Sequence, residues 1–119
     1  MVGAGPVGLS AIMTAKTRGA RTVIAVDGNE FRLEAAREFG ADEVFTAGEG
    51  TLEKVKALTA DGLGVDVAME AVGIPATFTL CLDSIRPGGR VANLGVAASR
   101  WSSPSTGSGS TTSRSPRAW

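Results

Sequence analysis

The apolar positions of this chain alternate between two periods. Val7, Ala11 and Ala15 recur at helical spacing with Ile12 beside them, which predicts a helix over residues 6–18, ended by Gly19. Thr22–Val26 is a short continuous apolar run of the kind that forms a parallel strand buried on both faces. Asn29 is a predicted N-cap for a helix running to about Phe39 and closed by Gly40. Glu43–Phe45 reads as a short strand. Leu52, Val55 and Leu58 return to helical spacing until Gly62 and Gly64 break it. Val65–Glu70 reads as a strand with Val65, Val67 and Met69 alternating. A helix then runs from about Pro75 to Ile85, with Phe78, Cys81, Leu82 and Ile85 expected inward. Pro87-Gly88-Gly89 turns the chain into a last strand, Arg90–Leu94. Strands alternating with helices of this length predict an α/β fold: a doubly wound parallel sheet of right-handed βαβ units, the Rossmann arrangement.

Candidate chemistry sits at the first turn. Residues 3–8 read Gly-Ala-Gly-Pro-Val-Gly, and Asp27 follows 19 positions after Gly8. Gly3 permits the tight turn out of a strand, Gly5 lets a pyrophosphate approach the backbone, and Gly8 lets the helix pack close. Pro6 suits the first helical position, where its missing N–H costs nothing. The helix end beyond it offers N–H groups and a positive dipole end to a diphosphate. Asp27 closes the apolar run. A carboxylate there can accept from both hydroxyls of an adenosine ribose and would repel a 2′-phosphate, so NAD is expected over NADP. On the glycine motif alone, an S-adenosylmethionine methyltransferase is the nearest competitor.

Composition narrows the classes. The 119 residues suffice for one small domain. Lys plus Arg is 12 and Asp plus Glu is 12, so no net basic charge argues for nucleic acid. No apolar run approaches a membrane span, and no secretory signal is visible. The one cysteine, Cys81, cannot form an internal disulfide, which fits a reducing cytoplasm. Histidine is absent, which excludes a His general base, a Ser–His pair and a His-ligated zinc within these residues.

Four stretches together carry a family resemblance: Gly3–Leu9, Arg32–Ala36, Gly64–Gly73 and Arg86–Val91. Across Val2 to about Val96 the chain resembles the medium-chain, zinc-dependent alcohol dehydrogenases, which disfavours the methyltransferase. The resemblance implies an NAD-binding domain of an oxidoreductase, with reversible hydride transfer between an alcohol carbon and the nicotinamide ring. It implies that zinc belongs to a separate catalytic domain, and that the parent is a homo-oligomer. Carried over position by position, Pro6 and Val7 would meet the pyrophosphate through the backbone and Asp27 would hold the adenosine ribose. Arg32 would stand beside the adenosine. Ala71 and Val72 would border the adenine side. Leu94, Gly95 and Val96 would meet the nicotinamide ribose and amide. Plainer roles stand beside these: Arg32 as a solvated helix charge, Ala71 and Val72 as loop packing, Cys81 as core, and Glu70 as a loop hydrogen-bonding group rather than an acid catalyst.

The sequence also departs from the family. With no His and one Cys, no catalytic zinc site can be built here. The first strand is cut to about Val2, so residues 1–96 read as an incomplete Rossmann domain. Residues 97–119 hold eight of the ten serines, both tryptophans, no acid and no Val, Leu or Ile, so they cannot supply a sixth strand. They read as a Ser-rich disordered tail. A flexible linker is one origin for it. The origin favoured here is a one-base deletion near Ala97 or Ala98. Codons permitted for Trp101–Gly107, regrouped from one nucleotide upstream, spell Val-Glu-Leu-Pro-Leu-Asp-Arg, which resembles what the family carries after its fifth strand. The readings left open are a non-catalytic dinucleotide-binding module and an inert truncated gene product.

Overall fold

The computed structural model describes residues 1–95. Its elements run α1 (Pro6–Thr17), β1 (Ile24–Asp27), α2 (Glu30–Glu38), β2 (Glu43–Thr46), α3 (Thr51–Ala57), a short 3-10 turn (Ala60–Gly62), β3 (Val65–Glu70), α4 (Pro75–Ser84) and β4 (Ile85–Asn93). β1 pairs with β2 and β3 with β4, both in parallel. Val2 stands between the two pairs, bridging Val26 on one side and Glu70 on the other, again in parallel. The order across the sheet is therefore β2-β1-Val2-β3-β4. The expectations for the sixth strand and for residues 97–119 lie outside the described residues.

The doubly wound prediction holds in the burial pattern. Val23 and Ala25 join Ala4, Ile12, Ala36 and Ala41 in one cluster, under α1 and α2. Ile24 and Val26 join Val2, Val55, Ala68 and Cys81 in a second cluster, under α3 and α4. Alternate residues of β1 thus face opposite layers, which is why that run is apolar throughout.

Local chemistry sets the boundaries. Asn29 caps α2 as predicted, its Oδ1 accepting from the N–H of Phe31 at 2.9 Å and of Arg32 at 3.2 Å. Asp42 locks the start of β1. Its carboxylate accepts from Val23 N–H at 2.7 Å and pairs with Lys16 at 3.1 Å. The Val23 amide first, and then Lys16, hold its carboxyl below the ordinary carboxylate value. Cys81 is fully buried in the second cluster, and burial pushes its thiol up to about 11.

Several predicted details are corrected. Of the predicted first-helix face, Ile12 is buried and Ala11 and Ala15 are half-buried, but Val7 is 57% exposed, and Gly8 is buried in its place. β3 buries Ala68 and Glu70, and leaves Val67 exposed. On α4, Phe78 and Leu82 are exposed rather than inward, and the buried face carries Cys81 and Ser84 with Thr77 and Leu80 half-buried. The reason lies in Glu70, whose buried carboxylate takes a hydrogen bond from the Thr77 hydroxyl and so fixes which face of the helix turns inward. The last strand begins at Ile85 rather than Arg90. Ile85 pairs with Val65 and Arg90 with Val67, so residues 86–89 form an irregularity within β4 instead of a turn before it.

Candidate dinucleotide site

The glycine turn leads from Val2 into α1 at the C-terminal edge of the sheet. Gly3 N–H donates to the Val26 carbonyl at 2.8 Å, holding the turn against the end of β1. Gly3 has φ of 96°, a left-handed value that a side chain rarely tolerates. A Cβ there would also lie 2.8 Å from Cγ2 of Val72, so the loop after β3 packs directly on the turn. At Gly8 a Cβ would collide with the carbonyl oxygen of Gly3, which explains the close seating of α1 on the turn. Gly5 differs from both. A Cβ built on it meets no atom within 4 Å, so the space over the first turn of α1 is open.

Three of the predicted features meet at that open space. Gly5 is the N-cap of α1 and Pro6 the first helical residue, with no side-chain cap. The first intrahelical bond runs from Leu9 N–H to the Gly5 carbonyl at 2.8 Å. The N–H groups of Val7 and Gly8 therefore have no partner within the helix. Asp27 lies alongside. Its Oδ2 accepts from Ala4 N–H at 2.8 Å and its Oδ1 from Asn29 N–H at 2.8 Å. The acid at the end of β1 is thus tied to the glycine turn itself. Each oxygen keeps a second lone pair for a ligand hydroxyl.

The other predicted residues fall into place less uniformly. Arg32 stands exposed on the first turn of α2, with no side-chain hydrogen bond or ion pair among the described residues. Ala71 and Val72 form the loop packed over Gly3, and Val72 is 44% exposed. Leu94 is exposed and Gly95 half-buried just past β4, while Val96 lies outside the described residues. Glu70, read from the sequence as a loop hydrogen-bonding group, is 1% exposed and accepts three hydrogen bonds at this edge. A groove of about 880 Å³ lies elsewhere, beside Met1 and Val2 and between the starts of β1 and β3. It is lined by Thr22, Ile24, Val65 and Val67 among others, and it does not include Gly5, Pro6, Val7 or Asp27.

A family profile described as zinc-binding dehydrogenase matches residues 6–111. The chain belongs to the zinc-binding dehydrogenase family. It is 46% identical over 96 residues to an alcohol dehydrogenase of Cupriavidus necator, covering 80% of this chain and 26% of that protein. It is 44% identical over 94 residues to an L-threonine 3-dehydrogenase of Escherichia fergusonii, covering 79% of this chain and 28% of that protein. Among solved structures, the apo form of zinc-dependent alcohol dehydrogenase 2 from Streptococcus pneumonia superposes with a TM-score of 0.77 at 47% identity, covering 81% of this chain and 28% of that one. The chain thus spans about a quarter of the length of the relatives it matches. The α/β fold with parallel strands is that of the Rossmann-type domain of these dehydrogenases.

The donors present do not fit the zinc for which the family is named. The sequence offers no imidazole and one thiol, and that thiol is fully buried. Among the described residues no three His, Cys, Asp or Glu side chains converge on one point. Nor is any described helix long and apolar enough to cross a membrane.

Proposed function

We propose that the chain binds NAD over the first turn of α1 and is the nucleotide-binding part of an oxidoreductase that moves a hydride between an alcohol carbon and the nicotinamide ring. The observation that carries this reading is the bond from Ala4 N–H to Asp27 Oδ2, which holds a carboxylate beside an open, uncapped helix N-terminus. A diphosphate fits the N–H groups of Val7 and Gly8 and the positive end of the helix dipole. Ribose hydroxyls fit the remaining lone pairs of Asp27. Arg32 lies on the adenosine side, Ala71 and Val72 border it, and Leu94 and Gly95 form the edge that would meet the nicotinamide half, with Val96 expected to follow them there. When bound, NAD supplies the hydride acceptor.

A carboxylate at Asp27 repels a 2′-phosphate, so the reading favours NAD over NADP. Calorimetric titration of the 119-residue chain with each cofactor tests it. Saturable NAD binding tighter than NADP is expected, and a chain that binds neither overturns the reading. Binding is expected without turnover, because these residues offer no imidazole and no accessible thiol for a metal-activated alcohol. Zinc-dependent NADH formation by this chain alone would show that the division of labour is wrong. The same reading takes residues 97–119 as encoded in a shifted frame. Sequencing the encoding DNA is expected to show a one-base gap near the codon of Ala97, and a frame restored by no single-base insertion there would dismiss this.

A further inference from the structure

Glu70 is a buried ionisable group that the cofactor contacts proposed above do not use. It sits at the end of β3 with 1% of its surface exposed. Its Oε1 accepts from Val72 N–H at 2.8 Å, from Gly73 N–H at 2.8 Å and from the Thr77 hydroxyl at 2.7 Å. That hydroxyl also lies 2.8 Å from the Ile74 carbonyl, but it has one proton, and the carboxylate is the stronger acceptor. The Glu70 carbonyl accepts from Leu94 N–H at 2.7 Å and from Gly95 N–H at 2.9 Å. Its Oε2 occupies the space that a Cβ on Gly95 would need. One residue therefore ties together the loop after β3, the first turn of α4 and the chain leaving β4.

The loop after β3 has no slack. Ala71 N–H donates to the Val2 carbonyl at 2.9 Å, and the next two N–H groups go to Glu70. Its outer side meets Gly3 of the glycine turn. Glu70 thus sets the distance between the loop over the turn and the backbone of residues 94–95. None of its bonds reaches Asp27 or the first turn of α1.

We infer that Glu70 is a positioning residue for the nicotinamide half of the cofactor site, holding residues 94–95 against the 71–73 loop, while the Asp27 contacts of the adenosine half need none of its bonds. This rests on the NAD-binding reading. The negative charge suits this role, since a carboxylate oxygen takes three donors at once, where a neutral side chain would leave buried N–H groups weakly paired.

The test compares two ligands on the 119-residue chain. AMP reports on the adenosine half, Asp27 with Ala71 and Val72 at its border, whereas NAD also reaches residues 94–95. In Glu70→Gln one oxygen still accepts, but an amide NH2 replaces Oε2 beside Gly95. NAD is expected to weaken about 3- to 10-fold, the range for replacing a charge-assisted hydrogen bond by a neutral one, with AMP unchanged within about twofold. Thr77→Val removes one donor without opening a cavity and should weaken NAD about two- to fivefold, again sparing AMP. It keeps the test decisive if Glu70→Gln fails to fold. A merely structural role predicts NAD and AMP losses in equal proportion, and that result overturns the inference. So does unchanged NAD affinity in a folded Thr77→Val chain. A wild-type chain that binds AMP and NAD equally well overturns this inference alone, and one that binds neither ligand overturns the cofactor reading beneath it as well.

Discussion

Replacing Asp27 with Ser separates two roles that the geometry assigns to one carboxylate. The first is structural. Ala4 is fully buried, and its N–H reaches Asp27 Oδ2 at 2.8 Å. Serine is too short to take over that bond, so a buried donor is orphaned at a cost of about 1–3 kcal/mol. The second bond, to Asn29 N–H, is exposed, and water replaces it at little cost. For a domain of this size the loss corresponds to a fall in melting temperature on the order of 5–20 °C.

The second role of Asp27 concerns the ligand. One or two charge-assisted bonds to ribose hydroxyls disappear, at about 1.5–3 kcal/mol each, so NAD affinity should fall at least tenfold. NADP should not share this loss, because removing the carboxylate also removes its repulsion of the 2′-phosphate. The ratio of NAD to NADP affinity is therefore expected to drop by about tenfold or more. Calorimetry with both cofactors on both proteins, run well below the variant's melting point, measures it. An unchanged ratio would refute ribose contact by Asp27 even if stability falls, and an unchanged melting temperature would refute the anchoring role.

Gly8→Ala should destabilise the domain by about 1–3 kcal/mol in chemical denaturation, because the new Cβ meets the Gly3 backbone; were there room, helix propensity would instead give a gain of about 1 kcal/mol. Gly5→Ala, with open space around it, should leave stability within about 1 kcal/mol of wild type and weaken NAD; the reverse pattern would show that the two glycines have been assigned the wrong roles. Asp42 has its folded pKa below the ordinary value of 3.8, so its contribution is complete above that pH and is lost as pH falls through the folded value. Asp42→Asn should flatten that acid limb, by no more than about 1 kcal/mol after solvent screening, and an unaltered acid limb in pH-dependent melting would count against the Val23 bond. Cys81, buried and with its thiol pushed up to about 11, should resist iodoacetamide in the native state and react at the rate of unfolding; fast native alkylation would contradict its place in the core.

The features legible in the sequence are those with a local cause. The glycine spacing, Pro6, the Asn29 cap and the acid after β1 each act within a few residues or across one βα turn, and each is found in place. The buried run at β1 was readable because both faces of a central strand must be apolar. The facing of α4 was not readable from hydropathy. Ile74, Phe78 and Leu82 lie along one row of the helix and are exposed, while Thr77 and Ser84 turn inward. That phase is set by a carboxylate on another element, and no count of apolar residues within the helix reveals it. The start of β4 escaped for a similar reason. Pro87-Gly88-Gly89 is a turn signal, yet Ile85 already pairs with Val65 before it.

Asp27 and the loop held by Glu70 rest on two different strand pairs, and this bears on how a ligand should act on the fold. Asp27 ends β1, whereas Glu70 ends β3 and Leu94 follows β4. Backbone contact between the pairs passes through Val2 and its neighbours. Val2 N–H donates to Met69 and the Val2 carbonyl accepts from Ala71, while Val26 donates to Met1 and accepts from Gly3. The α3–α4 cluster spans both pairs, but the α1–α2 cluster draws only on β1 and β2. A sheet joined so narrowly is expected to open in two units, each with its own exchange free energy. On the proposed reading AMP engages chiefly the β1 side, with only Ala71 and Val72 beyond it, so at saturation it should slow amide exchange across residues 24–46 more than across residues 65–93. NAD crosses the join and should slow both, because a ligand protects only the states to which it binds. Mass-resolved exchange of the free, AMP-bound and NAD-bound chain measures this directly. Equal protection of both segments by AMP would mean that the α3–α4 core couples the halves more strongly than the backbone around Val2, and that the domain opens as one.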